Sequence, residues 1–346
     1  MSNINLPFLQ TINVGHCKIG DGHPVFLIAE AGVAHFGNPE KADRLVDLAA
    51  EAGADAFKTQ AFITDDLISK RSGDWYERMR PKEVDLPFFL RMKKRCEDQG
   101  LIFLCTAHDE SALRWADELE VPAYKIGSGE RGNWPFLSAT AKRGKPIILS
   151  TGMYSKDDVE QAISILSESG CCELALLHCV TAYPVPYAEA NLGAMAELKH
   201  LFRGPVGYSD HTQGEHVSLA AVALGAKVIE KHITLDFDVP NAQDWKVSLG
   251  SGNFPDFVKR VREVEAALGT GSLDIQDCER PSQFWALKSL VATRFLAAGA
   301  VIDAAMLTAK RPGDGLPPSE LPRIIGRKLA REIEEDMPIR VEDLEA

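Results

Sequence analysis

The sequence predicts a (β/α)8 TIM barrel followed by a small second domain, and three observations support this prediction. The chain has 346 residues, a length that suits one large domain and one small domain. Short apolar runs alternate with longer amphipathic segments within the ~250 residues typical of a closed barrel. Beyond residue 270 the pattern changes to short apolar runs, small residues and turn signals. An open doubly wound sheet is the alternative, but one uninterrupted series of units favours closure.

Apolar runs rich in Ile, Leu, Val and Phe are the predicted strands. A strand that is buried on both faces of a parallel sheet has a nearly continuous apolar sequence, and these runs have that character. The predicted strands cover residues 25–32, 55–62, 101–107, 123–129, 146–153, 173–180, 205–211 and 227–234.

The segments between the predicted strands carry helix signals. Residues 39–54 have apolar positions at helical spacing and close near a glycine, and residues 155–170 begin with a serine cap and an acidic first turn. Residues 12–25 predict a hairpin that plugs the lower end of the barrel. The predicted domains are a barrel with its N-terminal hairpin over residues 1–270, a linker over 271–285 and a small domain over 286–346.

Composition limits the classes of function. The net charge of −12 argues against a nucleic-acid or anionic-membrane surface, which needs clustered lysine and arginine. The seven cysteines contain no C-x-x-C pair, so neither a structural zinc site nor a disulfide framework is supported, and a reducing, cytoplasmic location is expected. The N-terminus lacks a basic region before a long apolar run, which argues against a signal peptide, and no apolar segment is long enough to span a bilayer.

Polar side chains collect near the predicted carboxyl ends of the strands, where barrel enzymes have their active sites. One such residue would be ordinary, but their presence in every strand is hard to explain as packing. They are Glu30, Lys58, Gln60, Thr106, Lys125, Ser128, Glu130, Thr151, His178, Ser209, His211, Glu230 and His232.

The last predicted strand contains the unusual stretch Glu230-Lys231-His232. Side chains two positions apart share a strand face, so Glu230 and His232 face the mouth, while Lys231 points to the helix side, where its stem reaches solvent. His211 on the preceding strand is the expected partner of His232, since two neutral imidazoles commonly hold a divalent metal. A lone strand-end histidine is more often structural, but two on neighbouring strands favour a metal site with positions left for water and substrate oxygens.

Lys58 and Lys125 bring positive charge to the same mouth. Both are candidates for binding a phosphate or carboxylate, although a buried lysine also forms salt bridges, here with Glu30 or Glu130. A desolvated lysine that forms a Schiff base, as in a class I aldolase, is an alternative chemistry. A sugar-binding protein without catalysis is the non-enzymatic alternative, and the presence of Glu230 with two histidines argues against it.

Ordered motifs along nearly the whole chain resemble those of the sialic acid synthase family, which includes the N-acetylneuraminate, legionaminate and pseudaminate synthases. Residues 289–316 resemble the small antifreeze-like (SAF) domain of that family. The barrel motifs cover residues 27–42, 123–130, 146–153, 176–187, 207–212 and 223–236.

This resemblance implies a reaction, a cofactor and an assembly. Phosphoenolpyruvate would condense with the open-chain aldehyde of an N-acylated, ManNAc-like amino sugar to give a nine-carbon 2-keto-3-deoxy sugar acid and phosphate. A divalent cation, Mn²⁺ or Mg²⁺, would act as a Lewis acid. The enzyme would be a domain-swapped homodimer in which the small domain of one subunit covers the barrel mouth of the other.

The resemblance also implies roles for individual residues. His211 and His232 would hold the metal, and Glu230 and Glu130 would transfer protons, so that His232 and the two glutamates form the catalytic set. Arg311 of the small domain would reach the sugar bound by the other subunit. The residues implied to bind phosphoenolpyruvate are Lys58, Thr106, Lys125, Ser128, Ser209 and the nearby Thr181. Those implied to contact the sugar are Glu30, Gln60, Tyr183 and Asp244.

Three stretches depart from the family pattern on the side implied to bind the sugar, and one of them is His35-Phe36. The loop over residues 239–247 differs around Asp244, and His108 stands where the family commonly has phenylalanine. His108 would either bind a sugar hydroxyl or cap the following helix. The departures therefore concern the identity of the acceptor sugar rather than the type of reaction.

Overall fold

The computed structural model describes residues 8–240 and 242–345. The chain forms two compact units that divide between Gly269 and Thr270. The first unit is a closed barrel, and the second is a small domain with antiparallel strands, so the predicted fold class is confirmed. Across the described ranges, no helix has the length and apolar character needed to cross a membrane.

A short antiparallel hairpin, β1 (Ile12–Val14) and β2 (Cys17–Ile19), precedes a closed barrel of parallel strands. Each barrel strand pairs with its neighbours in the sequence, and the last strand pairs with the first, with His232 opposite Glu30. The strands are nearly fully buried, as their apolar sequences predict. They are β3 (Phe26–Gly32), β4 (Ala56–Ala61), β5 (Ile102–Ala107), β6 (Tyr124–Ile126), β7 (Ile147–Ser150), β8 (Leu174–Cys179), β9 (Val206–Asp210) and β10 (Val228–His232).

Helices surround the strands, and several begin and end at the residues that the sequence signals indicate. Asn38 accepts a hydrogen bond from the backbone N–H of Lys41 at the start of α1, and Gly53 ends that helix with a φ of 79°. Ser155 and Asp158 form a capping box at α7. The helices of this unit are α1 (Pro39–Ala52), α2 (Thr64–Leu67), α3 (Asp74–Met79), α4 (Leu86–Asp98), α5 (Glu110–Glu118), α6 (Trp134–Ala141), α7 (Lys156–Glu168), α8 (Ala194–Leu201), α9 (His216–Ala223) and α10 (Phe254–Leu268).

The barrel interior is apolar at its lower end and polar at the carboxyl ends of the strands. Along β3, for example, the inward-facing positions pass from Phe26 and Ile28 to Glu30. The hairpin adds its apolar side chains to the lower cluster and closes that end. The cluster comprises Ile12, Val14, Ile19, Phe26, Ile28, Ala56, Ile102, Leu104, Ala123, Ile148, Ala175, Leu177 and Val228.

Lys231 lies on the outward face of β10, but its predicted route to solvent is wrong. The side chain is fully buried, and its Nζ donates to Asp210 Oδ2 over 3.0 Å and to the carbonyl oxygen of Thr212 over 2.7 Å. Helix α9 packs over this part of β9 and β10 and excludes water, so the ammonium needs a carboxylate. A buried ion pair therefore joins β9 to β10 beside their mouth-facing residues.

The second unit has a small apolar core of its own, built from residues such as Leu290, Ile302 and Ile339. Its two strands pair antiparallel, with Ser289 opposite Lys310. Helix α11 lies within the segment that the sequence analysis treats as a linker. The elements of this unit are α11 (Arg280–Ala286), β11 (Ser289–Ala292), β12 (Leu307–Lys310) and α12 (Leu321–Ile324).

Candidate active site

Four buried charged side chains, the charged cluster of Glu30, Lys58, Lys125 and Glu230, meet at the carboxyl ends of the barrel strands. Lys58 Nζ lies 2.7 Å from Glu30 Oε2 and 3.6 Å from Glu230 Oε2. Lys125 Nζ lies 3.5 Å from the same oxygen of Glu230. Each of the four residues is at most 4% exposed, so their charges compensate one another in place of water.

The pKa values of the four residues in the charged cluster are shifted in different directions. Burial raises the pKa of Glu30, and the charge of Lys58 only partly offsets this effect. Burial also opposes ionisation of Glu230, but Lys125 and Lys58 outweigh it and lower the pKa of that carboxyl. Burial lowers the pKa of Lys125, whereas the pKa of Lys58 is raised because Glu230 and Glu30 outweigh burial. Glu230 is therefore the ionised acceptor, and Glu30 is the carboxyl that holds a proton more readily.

Thr106 and Ser209, both predicted site residues, make direct hydrogen bonds to the charged cluster. Thr106 Oγ1 accepts a hydrogen bond from Lys58 Nζ over 2.9 Å. Ser209 Oγ donates to Glu230 Oε1 over 2.9 Å. These bonds satisfy buried polar atoms and hold the lysine and the carboxyl in fixed orientations.

Thr151 and His178, which the sequence analysis counts among the mouth residues, bond to the backbone instead. Thr151 Oγ1 donates to the carbonyl oxygen of Leu177 over 3.0 Å. His178 Nε2 lies 2.9 Å from a backbone carbonyl oxygen in the loop that follows β8. Ser150, one position before Thr151, is the residue at the site, since its Oγ accepts a hydrogen bond from Lys125 Nζ over 2.8 Å.

His211 and His232 face each other at the mouth, with ring centroids 5.4 Å apart. The Nδ1 of His211 donates to the carbonyl oxygen of Val180 over 2.8 Å, because a carbonyl can only accept. In the neutral ring Nε2 then carries a lone pair, and the hydroxyl of Tyr183 lies 3.0 Å away and donates to it. The Nδ1 of His232 is buried and has no hydrogen-bond partner in the described part of the chain.

These two imidazoles fit a divalent metal ion as part of an incomplete ligand set. A backbone carbonyl that fixes the tautomer of one ring is a common arrangement around metal-binding histidines. Burial lowers the pKa of His232, which keeps the ring neutral, and its buried Nδ1 lacks a partner. Within residues 8–240 and 242–345, no group of three or more His, Cys, Asp or Glu side chains is arranged to hold a metal. Water or substrate oxygens would therefore have to complete the coordination.

Ser128 and Thr181, both predicted to bind phosphoenolpyruvate, approach each other beside Gly152. Ser128 Oγ accepts a hydrogen bond from the backbone N–H of Gly152 over 2.9 Å. A Cβ at Gly152 would lie 2.3 Å from Thr181 Oγ1 and 2.7 Å from Ser128 Oγ. Only glycine fits between the two hydroxyls. The backbone N–H of Gly152 and the hydroxyls of Ser128 and Thr181 therefore lie close together.

Glu130 stands apart from the charged cluster. Its Oε2 accepts a hydrogen bond from Asn133 Nδ2 over 2.7 Å, and burial raises the pKa of its carboxyl. In the described ranges it forms no ion pair with Lys58 or Lys125 and no hydrogen bond with Glu230. Its role in proton transfer therefore stays a prediction.

Glu30, Gln60 and Asp244, which are predicted to contact the sugar, converge on Gly32. Gln60 Nε2 donates to Glu30 Oε1 over 3.3 Å. A Cβ at Gly32 would lie 3.2 Å from Asp244 Oδ2 and 3.5 Å from Glu30 Oε1. The φ of Gly32 is 54°, a conformation that favours glycine, and burial raises the pKa of Asp244. Three polar side chains therefore form one wall.

A cavity of about 300 Å³ opens beside this wall, a volume suited to a small-molecule ligand. Gln60, Tyr183 and Asp244 line its inner part. Its outer part is lined by the loop around Trp245, which is expected on the sugar side, and by α3 and the short turn Arg80–Lys82, which contain no predicted site residue. The outer lining residues include Phe36, Trp75, Arg78, Met79, Lys82 and Trp245.

His108 does not cap the helix that follows it. Asp109 does so, since its side chain accepts a hydrogen bond from the backbone N–H of Ala112 over 2.7 Å. Burial lowers the pKa of His108 to about 4, and the nearby Lys58 and Lys125 add to this effect. The ring is therefore uncharged at neutral pH and lies close to the charged cluster.

Arg311 is the predicted site residue that lies outside the barrel unit. It is exposed and follows β12, and the peptide bond between Arg311 and Pro312 is cis. It belongs to the second unit, and its contact with a bound sugar stays a prediction.

Comparison with known proteins gives two family models that together span most of the chain. The model of the NeuB family matches residues 45–273, and that of the SAF domain matches residues 288–345. The N,N'-diacetyllegionaminic acid synthase of Campylobacter jejuni is 36% identical over 91% of this chain and 98% of its own length. The N-acetylneuraminate-9-phosphate synthase of Homo sapiens is 35% identical over 94% of this chain and 94% of its own.

A solved structure of a sialic acid synthetase also resembles this chain. The crystal structure of N-acetylneuraminic acid (sialic acid) synthetase from Leptospira borgpetersenii, in complex with citrate, has a TM-score of 0.73 and 36% sequence identity and covers 79% of this chain and 95% of that one. The matched region of the family model includes the strands that carry Lys58, Lys125, Glu230 and both mouth histidines. The chain therefore belongs to the NeuB family and is an enzyme of the sialic acid synthase type.

Proposed function

We propose that the chain catalyses the metal-dependent condensation of phosphoenolpyruvate with the aldehyde of an N-acylated, ManNAc-like amino sugar. With water, the products are a nine-carbon 2-keto-3-deoxy sugar acid and phosphate. The observation that carries the proposal is the charged cluster beside His211 and His232 at the carboxyl ends of the strands. The names of the related synthases also support it.

Lys58 and Lys125 would supply the positive charge that phosphoenolpyruvate needs. Hydrogen bonds from an ammonium to a carboxylate or phosphate are short and strong, and burial strengthens them further. Their present partners, Glu30 and Glu230, hold the two lysines in place before the substrate arrives. The hydroxyls of Ser128 and Thr181 would supply neutral donors, with Ser128 Oγ held by the backbone N–H of Gly152.

The first step forms a carbon–carbon bond. C3 of the enol attacks the aldehyde carbon, and the aldehyde oxygen takes up a proton and becomes a hydroxyl. Glu30 is suited to hold that proton, since its pKa is raised and it lies on the wall with Gln60 and Asp244. When bound by His211 and His232, Mn²⁺ or Mg²⁺ would supply Lewis-acid polarisation of the carbonyl.

The second step releases phosphate. Attack leaves C2 of the former enol electron-poor, water adds there, and the water loses a proton. Glu230 is suited to accept this proton, since Lys125 and Lys58 keep it ionised. The new C2 hydroxyl then gives its proton to the surroundings and becomes a ketone as the C2–O bond to phosphate breaks.

A screen of acceptor sugars tests the proposed function. The enzyme is incubated with phosphoenolpyruvate and a panel of N-acylated hexosamines, and phosphate release and product mass are measured. We expect equimolar phosphate and a sugar acid, loss of both with a chelator, and recovery on addition of Mn²⁺ or Mg²⁺. Absence of phosphate release with every acceptor and both metals would refute the proposal.

One observation favours a Schiff-base aldolase as the second candidate. Burial lowers the pKa of Lys125, and a neutral lysine amine is the nucleophile of class I aldolases. Such an enzyme would cleave or form the sugar acid in the presence of a chelator, and borohydride would trap a covalent adduct on Lys125. The charged partner Glu230 at 3.5 Å and the names of the related synthases favour the first candidate.

We also propose a domain-swapped homodimer in which Arg311 of one subunit reaches the sugar bound in the barrel of the other. A loop that carries arginine on a small domain suits a lid that excludes water from the reacting groups. The cytoplasm is the proposed location, because the cysteines are free and no disulfide framework is present among the described residues.

A further inference from the structure

The 300 Å³ cavity is lined by more positive than negative side chains. Its charged lining residues, within the ranges that the structure describes, are Arg78, Lys82 and Asp244. Arg78 lies on α3, and Lys82 lies on the turn that follows. Asp244 Oδ2 would lie 3.2 Å from a Cβ at Gly32, and the charges of Asp244 and Lys82 act on each other. A ligand that fills the cavity therefore meets two cations, on α3 and on the turn that follows, as well as the carboxyl of Asp244.

Lys82 lacks a carboxylate partner. It is partly buried, and no Asp or Glu oxygen of the described chain lies within ion-pair distance of its Nζ, which lies 5.6 Å from the centroid of the Phe36 ring. The adjacent Glu83 does not neutralise it, because Glu83 Oε2 accepts a hydrogen bond from the backbone N–H of Thr64 over 2.8 Å. Burial lowers the pKa of Lys82; the charge of Asp244 partly offsets this effect, and the charge of Arg78 adds to it.

Neighbouring cations show that this arrangement is specific to the cavity wall. Lys41 also lies near the Phe36 ring, but its Nζ pairs with Asp236 over 2.6 Å. Arg80, two positions before Lys82, donates to the hydroxyl of Tyr76 over 2.6 Å and belongs to a separate network with Asp65. These cations have acidic or phenolic partners, whereas Lys82 is left to the cavity.

We propose that the part of the cavity beside Arg78 and Lys82 binds an anionic group of the acceptor sugar, a phosphate monoester placed away from the aldehyde. The proposal rests on the proposed function, since it names the class of acceptor. A phosphate monoester carries close to two negative charges at neutral pH and accepts several charge-assisted hydrogen bonds, which matches two cations better than a hydroxyl does. Sequence identity does not distinguish neutral from phosphorylated acceptors. The relative named as an N,N'-diacetyllegionaminic acid synthase is 36% identical to this chain, and the relative named as an N-acetylneuraminate-9-phosphate synthase is 35% identical.

The test compares acceptors that differ in the distal group. N-acetylmannosamine, its 6-phosphate and the corresponding uronate are each supplied with phosphoenolpyruvate and metal, and kcat/KM is measured from phosphate release with product mass as a check. We expect kcat/KM for the 6-phosphate to exceed that for the neutral sugar at least tenfold. A ratio near one would overturn the proposal, and a preference for the uronate would overturn the assignment of a phosphate.

Variants at Lys82 tie the preference to this site. Lys82→Met should lower the ratio of kcat/KM between the 6-phosphate and the neutral sugar at least tenfold, and Lys82→Gln serves as a second variant if the first misfolds. Lys70→Met is the matched control, since Lys70 lies on the same segment, is 78% exposed and pairs with Asp65. The proposal is wrong if Lys82 variants keep the wild-type ratio or if Lys70→Met changes it equally.

Failure of the inference differs from failure of the proposed function. If both sugars release phosphate equally, the synthase activity stands and only the anion site is lost. If no acceptor releases phosphate, the proposed function fails. Calorimetry then measures the dissociation constants of the neutral and phosphorylated sugars, and their ratio tests whether the cavity binds the phosphate. Equal dissociation constants would then overturn the inference.

Discussion

His232 has a buried ring nitrogen without a hydrogen-bond partner among the described residues, and a second imidazole lies 5.4 Å away between ring centroids. A structural histidine normally has its buried nitrogens hydrogen-bonded, as His178 has at the end of β8. This difference supports the proposed metal-binding role of His232 and a structural role of His178. Both lie near strand ends, so sequence position alone does not distinguish them.

Replacing His232 by alanine should remove metal-dependent turnover. We expect kcat/KM to fall by roughly 100-fold or more, because loss of a metal ligand removes several kcal/mol of transition-state stabilisation. Manganese affinity, measured by electron paramagnetic resonance, should fall in parallel. His178→Gln is the control and should keep its manganese affinity. Near-normal metal affinity in His232→Ala would count against ligation.

His35 should make the fold sensitive to acid. Its Nδ1 accepts a hydrogen bond from the backbone N–H of Gly37 over 3.0 Å, and its buried Nε2 has no partner within residues 8–240 and 242–345. Burial lowers the pKa of His35 from 6.5 to about 4. Between these two pKa values the unfolded chain binds more protons than the folded chain, so stability falls as the pH falls.

His35→Asn keeps an acceptor for Gly37 but cannot be protonated, which isolates this effect. Between about pH 7.5 and about pH 5, we expect the wild-type protein to lose about 2 kcal/mol more unfolding free energy than the variant. Urea unfolding at the two pH values measures the difference. Equal losses in both proteins would show that His35 is not the source.

Strands β9 and β10 show which contacts the alternation of side chains along a strand predicts and which it does not predict. The pattern places Glu230 and His232 on the inward face and Lys231 on the outward face, and the structure agrees. It does not reveal that Asp210 of the neighbouring strand stands within reach of Lys231. That contact depends on strand register and on the helix above, which a single strand sequence does not contain.

Breaking the Lys231–Asp210 pair should destabilise the barrel and disturb the paired histidines. Lys231→Met leaves a buried carboxylate without its cation, so we expect a loss of about 3–5 kcal/mol in unfolding free energy. Metal affinity should fall about tenfold or more, because the strands that carry His211 and His232 lose their link. Unfolding by urea and manganese titration measure the two effects.

Lys227→Met provides the matched control on the same strand segment. Lys227 Nζ pairs with Asp21 over 2.8 Å, but the Asp21 side chain is 81% exposed. An exposed ion pair contributes at most about 1 kcal/mol, so the control should be nearly neutral. Equal losses in the two variants, or an unchanged metal affinity in Lys231→Met, would contradict the positioning role.

Ser150 and the outer cavity wall show two further reasons why sequence reasoning missed site residues. Ser150 lies two positions after the inward-facing Ile148, so alternation marks it, whereas proximity to the strand end favoured Thr151. Arg78 and Lys82 have no such signal. They lie on short helical turns after β4, and only the folded chain shows that these turns line the cavity.

The two-unit architecture was predictable because each unit has its own sequence texture and its own apolar core. Parallel strands buried on both faces leave continuous apolar runs, and the helices between them begin and end at capping residues. The pairing of subunits leaves no comparable signal. The role of Arg311 therefore rests on the resemblance to the family and needs a direct test.

Mixed dimers test whether Arg311 acts across subunits. Arg311→Ala should lower kcat/KM roughly tenfold or more without changing the unfolding curve, since the residue is exposed and would bind substrate by charged hydrogen bonds. Mixed with His232→Ala at equal amounts, it should regain up to about a quarter of wild-type activity, because half the dimers then contain one intact site. No gain on mixing would indicate that Arg311 acts within its own subunit.

The hairpin fills the lower end of the barrel, so in the described part of the chain the charged cluster is approached from the mouth. The charged cluster lies deep, at the strand ends, and the cavity for the second reactant lies outside it. Under the proposed function, the phosphoenolpyruvate that the two lysines would bind has to enter before the sugar covers it. Turnover should accordingly follow a compulsory sequence, with the sugar acid departing first and inorganic phosphate last.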